Sequence, residues 1–245
     1  MSSLDTIIVE FINSFAHRSW TLDAFVHFLA SDDLFKGVLV MTVFYFVWFQ
    51  SEEKSLEPGL TARRQILIHT ILICIPGLLV TRMLAHFLPF RQRPLYNPEL
   101  HLHLAYTLNT NVLATWNSFP SDHAVLFFAL ATGVFLVHRK AGLCLYLYTT
   151  LFVALPRIFL GFHYPSDLLA GGLFGASLAY SAKWPALRSL VTRPALRLRE
   201  FSPGLFYACF FFFTVQTAEL YNSLRSLFGL AYQALHAWAI SPHNF

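Results

Sequence analysis

Six apolar stretches divide this sequence, and shorter polar segments separate them. The stretches cover residues 34–49, 66–88, 121–137, 141–162, 166–182 and 205–221. An α-helix that crosses a lipid bilayer needs about 20 mainly apolar residues, with some tolerance for shorter runs. The pattern therefore predicts six transmembrane helices. The fifth is rich in glycine and alanine, which allows neighbouring helices to approach closely.

The two ends of the chain have a different pattern, with apolar residues on one side of a helix only. Near the N-terminus, Ile7 and Phe11 belong to one apolar stripe, and Trp20 and Phe25 belong to a second. Residues 223–240 repeat this helical spacing. We expect amphipathic helices that lie in the membrane interface at both ends. A seventh crossing by the N-terminal segment is the alternative.

Composition supports a membrane environment. Hydrophobic residues make up 56% of the 245 residues and charged residues only 12%. Soluble domains carry about 25% charged residues. We therefore predict an all-α fold, a polytopic membrane helical bundle of about six transmembrane helices with amphipathic terminal helices.

The basic residues predict which side of the membrane each loop faces. Loops 50–65, 138–140 and 183–203 fall on the same side of the predicted bundle. They hold ten of the 17 basic residues: Lys54, Arg63, Arg64, Arg139, Lys140, Lys183, Arg188, Arg193, Arg197 and Arg199. Because Lys and Arg accumulate in cytoplasmic loops, the opposite side is predicted to be extracytoplasmic. This distribution also argues against a nucleic acid partner.

Three polar segments gather at the predicted outer side. The first is 91–94, after the second apolar stretch, and the next is 120–123, at the start of the third. The last holds Arg157, His163 and Asp167, across the junction of the fourth and fifth stretches. Each alone is typical of an interface anchor or a helix cap. Their position on one side favours a common site.

The residue types in these segments suit a phosphate group. Arginine offers a planar fork of donors that matches a phosphate, so Arg93 and Arg157 can hold one from two helices. A helix that begins at 120–122 adds backbone N–H groups and the positive end of its dipole. The Ser121 hydroxyl adds another donor.

Phosphoryl transfer also needs a nucleophile and an acid for the leaving group. Imidazole titrates near neutral pH, so His163 and His123 are the candidates. A histidine that attacks must be neutral, and we expect its second nitrogen to be held by a carboxylate. Asp167, four residues after His163, is placed to orient that ring.

These segments resemble the signature of the type 2 phosphatidic acid phosphatase superfamily. That signature has three parts, Lys-x6-Arg-Pro, Pro-Ser-Gly-His and Ser-Arg-x5-His-x3-Asp. The sequence has these counterparts: His86-x6-Arg93-Pro94, Pro120-Ser121-Asp122-His123 and Pro156-Arg157-x5-His163-x3-Asp167. The resemblance covers about residues 20–183, the core of a single predicted domain that spans 1–245. Residues 184–245 would add a C-terminal loop, an extra transmembrane helix and the amphipathic tail.

The resemblance implies a role for each matched residue. His163 would be the nucleophile that forms a phosphohistidine, and Asp167 would orient it. His123 would protonate the leaving oxygen and then activate water. Phosphate binding would fall to Arg93, Arg157 and Ser121. The family needs no metal or other cofactor.

Three positions depart from the family pattern. The family lysine is His86 here, the glycine is Asp122 and the serine is Pro156. Asp122 and His86 thus enter the predicted phosphate-binding set, and Arg91 joins it because Arg91 or Arg82 can compensate for the missing lysine. These changes leave the catalytic residues intact and alter the phosphate-binding groups.

The predicted function is a membrane lipid phosphatase that acts at the extracytoplasmic face, in a bacterial inner membrane. A lipid phosphate is then the substrate, either a polyprenyl diphosphate or monophosphate or phosphatidylglycerol phosphate, and membrane lipids are the other partners. One alternative is a lipid phosphotransferase that uses the same site. The other is a non-catalytic lipid-binding or transport protein. The sequence leaves the oligomeric state open.

Overall fold

The fold is described from a computed structural model, which covers residues 3–50, 62–108, 114–223 and 226. Within these ranges all the regular elements are helices. They are α1 (Ser3–Asn13), α2 (Trp20–Ser31), α3 (Leu39–Gln50), α4 (Ala62–Phe87), α5 (Asp122–Val137), α6 (Arg139–Tyr148), α7 (Leu155–Phe159), α8 (Pro165–Tyr180), α9 (Pro185–Phe201) and α10 (Pro203–Ala218). Short π-helical segments, Leu34–Val38 and Thr149–Ala154, lead into α3 and join α6 to α7. Single 3₁₀ turns occur at Pro94–Tyr96 and Ser181–Lys183.

The all-α prediction is confirmed, and each apolar stretch forms a helix within a few residues of its expected bounds. Two continuous helices, Ala62–Phe87 and Arg139–Phe159, are long and apolar enough to cross a membrane. Three shorter apolar helices cover Leu34–Gln50, Asp122–Val137 and Pro203–Ala218. The number of six crossings therefore stays a prediction, as does the single domain over 1–245.

Helix α5 lies at the centre of the bundle and packs most extensively against α8. Glycine allows this contact, because a Cβ atom at Gly175 would lie 1.9 Å from the carbonyl oxygen of Val125. One turn earlier, Gly171 lies in the same way against the backbone of Ser121. The predicted close approach of the glycine-rich helix is confirmed. It brings the N-terminal ends of α5 and α8, which carry two of the three polar segments, side by side.

Large apolar side chains cover much of the outer surface of the described bundle. Phe87 is 76% exposed, Leu173 72% and Phe201 86%. A soluble monomer rarely exposes contiguous apolar surface on this scale, whereas a lipid bilayer solvates it. The fold therefore suits a membrane protein.

The N-terminal region forms two helices, as predicted, and three of their polar residues face inward. Asp5, Asn13 and Asp23 are buried, whereas Phe11 and Trp20 are exposed. This arrangement is the reverse of a soluble amphipathic helix. It ties α1 and α2 to the rest of the protein by polar contacts.

The prediction of a loop over 183–203 is wrong, because most of it forms α9. Pro185 occupies the first turn, where proline is well tolerated, and the arginines that follow are good helix formers. Ala195 and Leu198 pack against the main core. The predicted amphipathic tail at 223–240 lies outside the described residues, apart from Ser223 and Ser226.

Candidate active site

A cavity of about 250 Å³ opens where the polar segments meet. Side chains from α4, the 89–120 segment, α5, α7, the turn before α8 and the segment after α10 line it: Arg82, Ala85, Arg93, Trp116, Asn117, Pro120, Asp122, His123, Arg157, His163, Leu220 and Asn222. The predicted residues Arg93, Arg157, Asp122, His123 and His163 thus share one cavity, although they lie far apart in the sequence. The cavity is large enough for several water molecules or a small anion.

Arg93 is held in this cavity by main-chain oxygen atoms. Its guanidinium group donates to the carbonyl oxygens of Phe162 at 2.7 Å, Trp116 at 3.2 Å and Asn117 at 3.3 Å. Within the described ranges it forms no ion pair. Burial lowers its pKa to about 10, so the group stays charged at neutral pH. A buried cation held by neutral acceptors favours an anionic ligand.

Arg157 lies on the other side of the cavity and is also buried. Its Nη2 donates to the carbonyl oxygen of Ala30 at 2.9 Å, which ties α2 to α7. Its Nε has no hydrogen-bond partner among the residues that the structure describes. An unsatisfied buried donor is costly, and an oxyanion in the cavity would offset that cost.

The hydrogen bonds of His163 fix its tautomer. Nδ1 lies 2.8 Å from the carbonyl oxygen of Ser118, and because a carbonyl only accepts, Nδ1 must carry the proton. Nε2 then has its lone pair free to accept, and it lies 3.4 Å from Nη1 of Arg93. Burial lowers the pKa of His163 to about 4, against the opposing attraction of Asp167. The ring is therefore neutral at pH 7, with a lone pair beside a guanidinium group.

Asp167 lies next to His163 but does not accept its proton directly. Its Oδ2 is 3.7 Å from Nδ1, farther than a hydrogen bond, and instead accepts from the Ser118 hydroxyl at 2.5 Å. Oδ2 also accepts from the backbone N–H of Tyr164 at 2.9 Å, which caps α8. Ser118 therefore connects the two, since its hydroxyl contacts the carboxylate and its carbonyl contacts the ring. Sequence reasoning missed Ser118, which lies two residues before the matched Pro-Ser segment.

Arg91, predicted as a phosphate-binding residue, lies behind the site and does not line the cavity. Its Nη1 donates to Asp167 at 2.5 Å and its Nη2 donates to Asp5 of α1 at 2.8 Å. Asp5 also accepts from the Ser166 hydroxyl at 2.7 Å, and Arg91 stacks over the ring of Tyr164. Because two carboxylates hold its guanidinium group, Arg91 supports the position of Asp167.

His86 also lies outside the cavity, near the exposed end of α4. Arg82, one turn earlier, lines the cavity instead. Arg82 forms an ion pair with Asp122, and its guanidinium carbon lies 4.7 Å from the centre of the Trp116 ring. The carboxylate that replaces the family glycine is thus paired with a cation.

His123 and Ser121 occupy the first turn and the N-cap of α5. His123 lines the cavity and stacks on Phe127, one turn along the helix. Ser121 is fully buried but is not among the lining residues, and its hydroxyl has no hydrogen-bond partner within the described residues. The structure therefore brings His123 into the cavity, whereas Ser121 is buried and does not line it.

The segment after α10 closes one side of the cavity with Leu220 and Asn222. Leu220 and Tyr221 have positive φ angles of 54° and 59°, which turns the chain across the site. Nothing in the sequence pattern points to these residues, because they lie at the end of the sixth apolar stretch or just after it and belong to no matched segment. Trp116 and Asn117 are further lining residues that the sequence did not predict.

Metal-ligating residues do not form a group of three or more in the described ranges. His101 and His103, both in the 89–120 segment, are exposed.

Comparison with known proteins identifies the family. The model of the PAP2 superfamily matches residues 66–188, half of the chain. The bacitracin transport permease protein BcrC of Bacillus licheniformis is 29% identical over 81% of this chain and 89% of its own length. The putative undecaprenyl-diphosphatase YbjG of Escherichia coli K12 is 27% identical over 76% of this chain and 86% of its own length.

A solved structure has the same fold. The crystal structure of Aquifex aeolicus LpxE superposes with a TM-score of 0.52 and 24% identity, over 74% of this chain and 96% of that one. The three matched segments, their meeting at one cavity and the family match agree. The chain belongs to the PAP2 superfamily and is a membrane phosphatase of that type.

Proposed function

We propose that this chain hydrolyses a lipid phosphate or diphosphate through a phosphohistidine formed on Nε2 of His163. One observation carries the proposal. A neutral imidazole with a lone pair on Nε2 lines the cavity next to Arg93, and a second buried arginine, Arg157, lines the same cavity. That arrangement is suited to a nucleophile that attacks a bound phosphorus atom.

Phosphate binding is assigned to the arginines and the neighbouring donors. The contact of 3.4 Å between Arg93 and His163 is long, so a phosphate oxygen can replace the ring nitrogen as the hydrogen-bond acceptor. Arg157 offers the unpartnered Nε, and Arg82 adds a third cation at the cavity wall. These charges also stabilise the negative charge on the equatorial oxygens during transfer.

The reaction then follows in two steps. In the first, the bond between Nε2 of His163 and phosphorus forms as the bond to the leaving oxygen breaks, and His123 donates a proton to that oxygen. In the second, His123 takes a proton from water, whose oxygen attacks phosphorus. The Nε2–phosphorus bond breaks and inorganic phosphate leaves.

Asp167 and Ser118 support the nucleophile. Positive charge develops on the ring of His163 as its bond to phosphorus forms, and the buried carboxylate at 3.7 Å stabilises that charge. The Ser118 carbonyl holds Nδ1–H, so the ring keeps its orientation and tautomer through both steps.

The proposed substrate is a polyprenyl or glycerolipid phosphate or diphosphate in a bacterial membrane. A relative named as a putative undecaprenyl-diphosphatase and a shorter match, 40% identical over 58 residues, to a lipid A 4′-phosphatase of Bacteroides thetaiotaomicron support a lipid substrate. The extensive exposed apolar surface gives access to such a substrate from the bilayer.

We propose further that the site faces the outside of the inner membrane. The sequence supports this orientation, because ten of the 17 basic residues fall in the segments 50–65, 138–140 and 183–203, which are predicted to lie on the opposite side of the membrane. A reporter enzyme fused near residue 105 tests it. Activity of that fusion in the cytoplasm only would overturn the orientation without affecting the proposed chemistry.

The central experiment measures phosphate release from a panel of lipid phosphates by the purified protein and by His163→Ala. The exposed His101→Ala serves as the matched control, since it removes an imidazole that does not line the cavity. We expect His163→Ala to abolish release and His101→Ala to keep it. Release by His163→Ala at the wild-type rate would refute the assignment, and transfer of phosphate to a second lipid without release would indicate a phosphotransferase.

A further inference from the structure

A second cavity of about 430 Å³ lies beside the catalytic one. The two share three lining residues, His123, Arg157 and Asn222. The second cavity extends toward α2 and the π-helical segment 34–38, where His27 and Lys36 line it. Both residues lie outside the part of the chain that matches the family model, so family membership assigns them no role.

Lys36 supplies a cation to this cavity. The side chain is only 8% exposed, and its Nζ lies 2.9 Å from Oδ1 of Asp33, whose side chain is 41% exposed. A lysine is rarely buried unless a partner compensates its charge. Asp33 compensates the charge of Lys36, but Asp33 does not line the cavity. The charged groups that line the wall, Lys36 and Arg157, are therefore both positive.

Two buried donors in the wall of this cavity have no hydrogen-bond partner among the described residues. They are the Thr107 hydroxyl and Nε of Arg157, and because Arg157 lines both cavities it is shared between them. Unsatisfied buried donors beside a cation favour a ligand that carries several acceptor oxygens. A phosphate group has that chemistry, whereas a sugar or a neutral lipid headgroup carries no charge to balance Arg157, which forms no ion pair within the described residues.

The position of His123 connects the two cavities chemically. His123 lies in the shared wall, and the proposed function gives it the proton for the leaving oxygen. In a diphosphate that oxygen is the bridging one, with one phosphate on each side. A general acid in the wall between two anion-binding cavities is therefore in position to donate a proton to the bridging oxygen.

We propose that the second cavity, with Lys36, Thr107 and Arg157, is an anion subsite that binds the phosphate kept by the lipid product. The inference rests on the proposed function and narrows it to lipid diphosphates. The terminal phosphate occupies the catalytic cavity, and Nε2 of His163 attacks its phosphorus. The bond from that phosphorus to the bridging oxygen breaks, and the bridging oxygen takes the electron pair and the proton from His123. The product is a lipid monophosphate held by Lys36.

The test compares farnesyl diphosphate with farnesyl monophosphate, which differ only in the second phosphate. Lys36→Gln removes the cation and keeps a side chain of similar length. Asp33→Asn is the matched control, because it breaks the same ion pair and leaves the lysine charged. We expect Lys36→Gln to lower the ratio of kcat/KM for diphosphate over monophosphate by about tenfold or more. Asp33→Asn should keep the ratio within about twofold.

Two results would overturn the subsite. One is a ratio that Lys36→Gln leaves within about twofold of the wild type, and the other is an equal fall with Asp33→Asn, which would indicate a structural role for the ion pair. If Lys36→Gln does not give a monodisperse protein, Thr107→Val takes its place, and the ratio should fall about threefold or more. An unchanged ratio for Thr107→Val would then refute the subsite.

Failure of the proposed function would give a different result, because the wild-type protein would then hydrolyse neither lipid. The subsite is then tested by calorimetry with inorganic pyrophosphate and inorganic phosphate. The subsite requires that the wild type binds pyrophosphate at least about tenfold more tightly than phosphate, and that Lys36→Gln loses this preference. Equal affinities in the wild type would refute it.

Discussion

The substitution Asp167→Asn isolates the charge of the carboxylate behind the nucleophile. Asparagine keeps an oxygen that can accept from Ser118 and from the backbone of Tyr164, so the N-terminal cap of α8 is retained. What is lost is a negative charge 3.7 Å from Nδ1 of His163, together with the ion pair between Arg91 and the second carboxylate oxygen. Because Asp167 is fully buried, solvent does not replace that charge.

The size of the effect follows from that distance. At an effective dielectric constant of about 20, unit charges 3.7 Å apart attract by about 4 kcal/mol. The ring of His163 gains positive charge only as the phosphoryl group is transferred, so the loss falls mainly on the transition state. We expect Asp167→Asn to lower kcat by about a thousandfold and to change KM little.

The assay is steady-state release of phosphate over a range of lipid phosphate concentrations, which gives kcat and KM, with the melting temperature of each purified variant as the measure of folding. Ser118→Ala is the matched control, since it removes one donor to Asp167 and leaves the charge in place. A hydrogen bond to a charged group contributes about 1.5–3 kcal/mol, so this variant should lose about tenfold to a hundredfold. A folded Asp167→Asn protein within about tenfold of the wild-type rate would refute the electrostatic role.

Three further predictions follow from the same geometry. Because the pKa of His163 is lowered to about 4, the ring takes up its second proton only near that pH. The value of kcat/KM should therefore rise with pH through about 4. A rise centred at pH 6.5 would contradict the neutral state assigned to the ring. Arg82→Gln should raise KM about tenfold, because Arg82 lines the cavity, whereas His86→Gln should change KM less than twofold in the same assay. Gly175→Ala should lower the yield of monodisperse, active protein through its clash with the α5 backbone, and Gly204→Ala, where a Cβ meets nothing within 4 Å, should not; equal yields on size exclusion would show that the contact relaxes freely.

The helices could be predicted because a long run of apolar residues indicates a helix that is surrounded by lipid or by other helices. Each of the six stretches forms a helix close to its expected bounds. The 183–203 segment differs from the predicted loop because its many charged residues hide an amphipathic helix. One side of that helix packs against α4 and α10, and the charged residues lie mainly on the other.

The residues of the site could be predicted from chemical complementarity, and their hydrogen bonds could not. A spacing of four residues predicts that His163 and Asp167 are near each other, and they are. The actual acceptor of the histidine proton is the Ser118 carbonyl, 45 residues away in the chain. Every residue has a backbone carbonyl, so the sequence does not indicate which one accepts this hydrogen bond. The packing of Ser118 against the start of α8 decides it.

The sequence alone determined which residues are available: apolar stretches that require helices and a lipid surface, and three segments with the charges and imidazoles that a phosphate requires. Tertiary packing decided which of several similar side chains reaches the cavity. Arg82 does, whereas His86 points away and Arg91 is held behind the site by two carboxylates. It also brought Lys36 and Asn222 from outside the matched segments to the cavity walls. The physical reason is that spacing along a chain fixes neighbours only within one helix, whereas a cavity wall is set by the relative position of several helices.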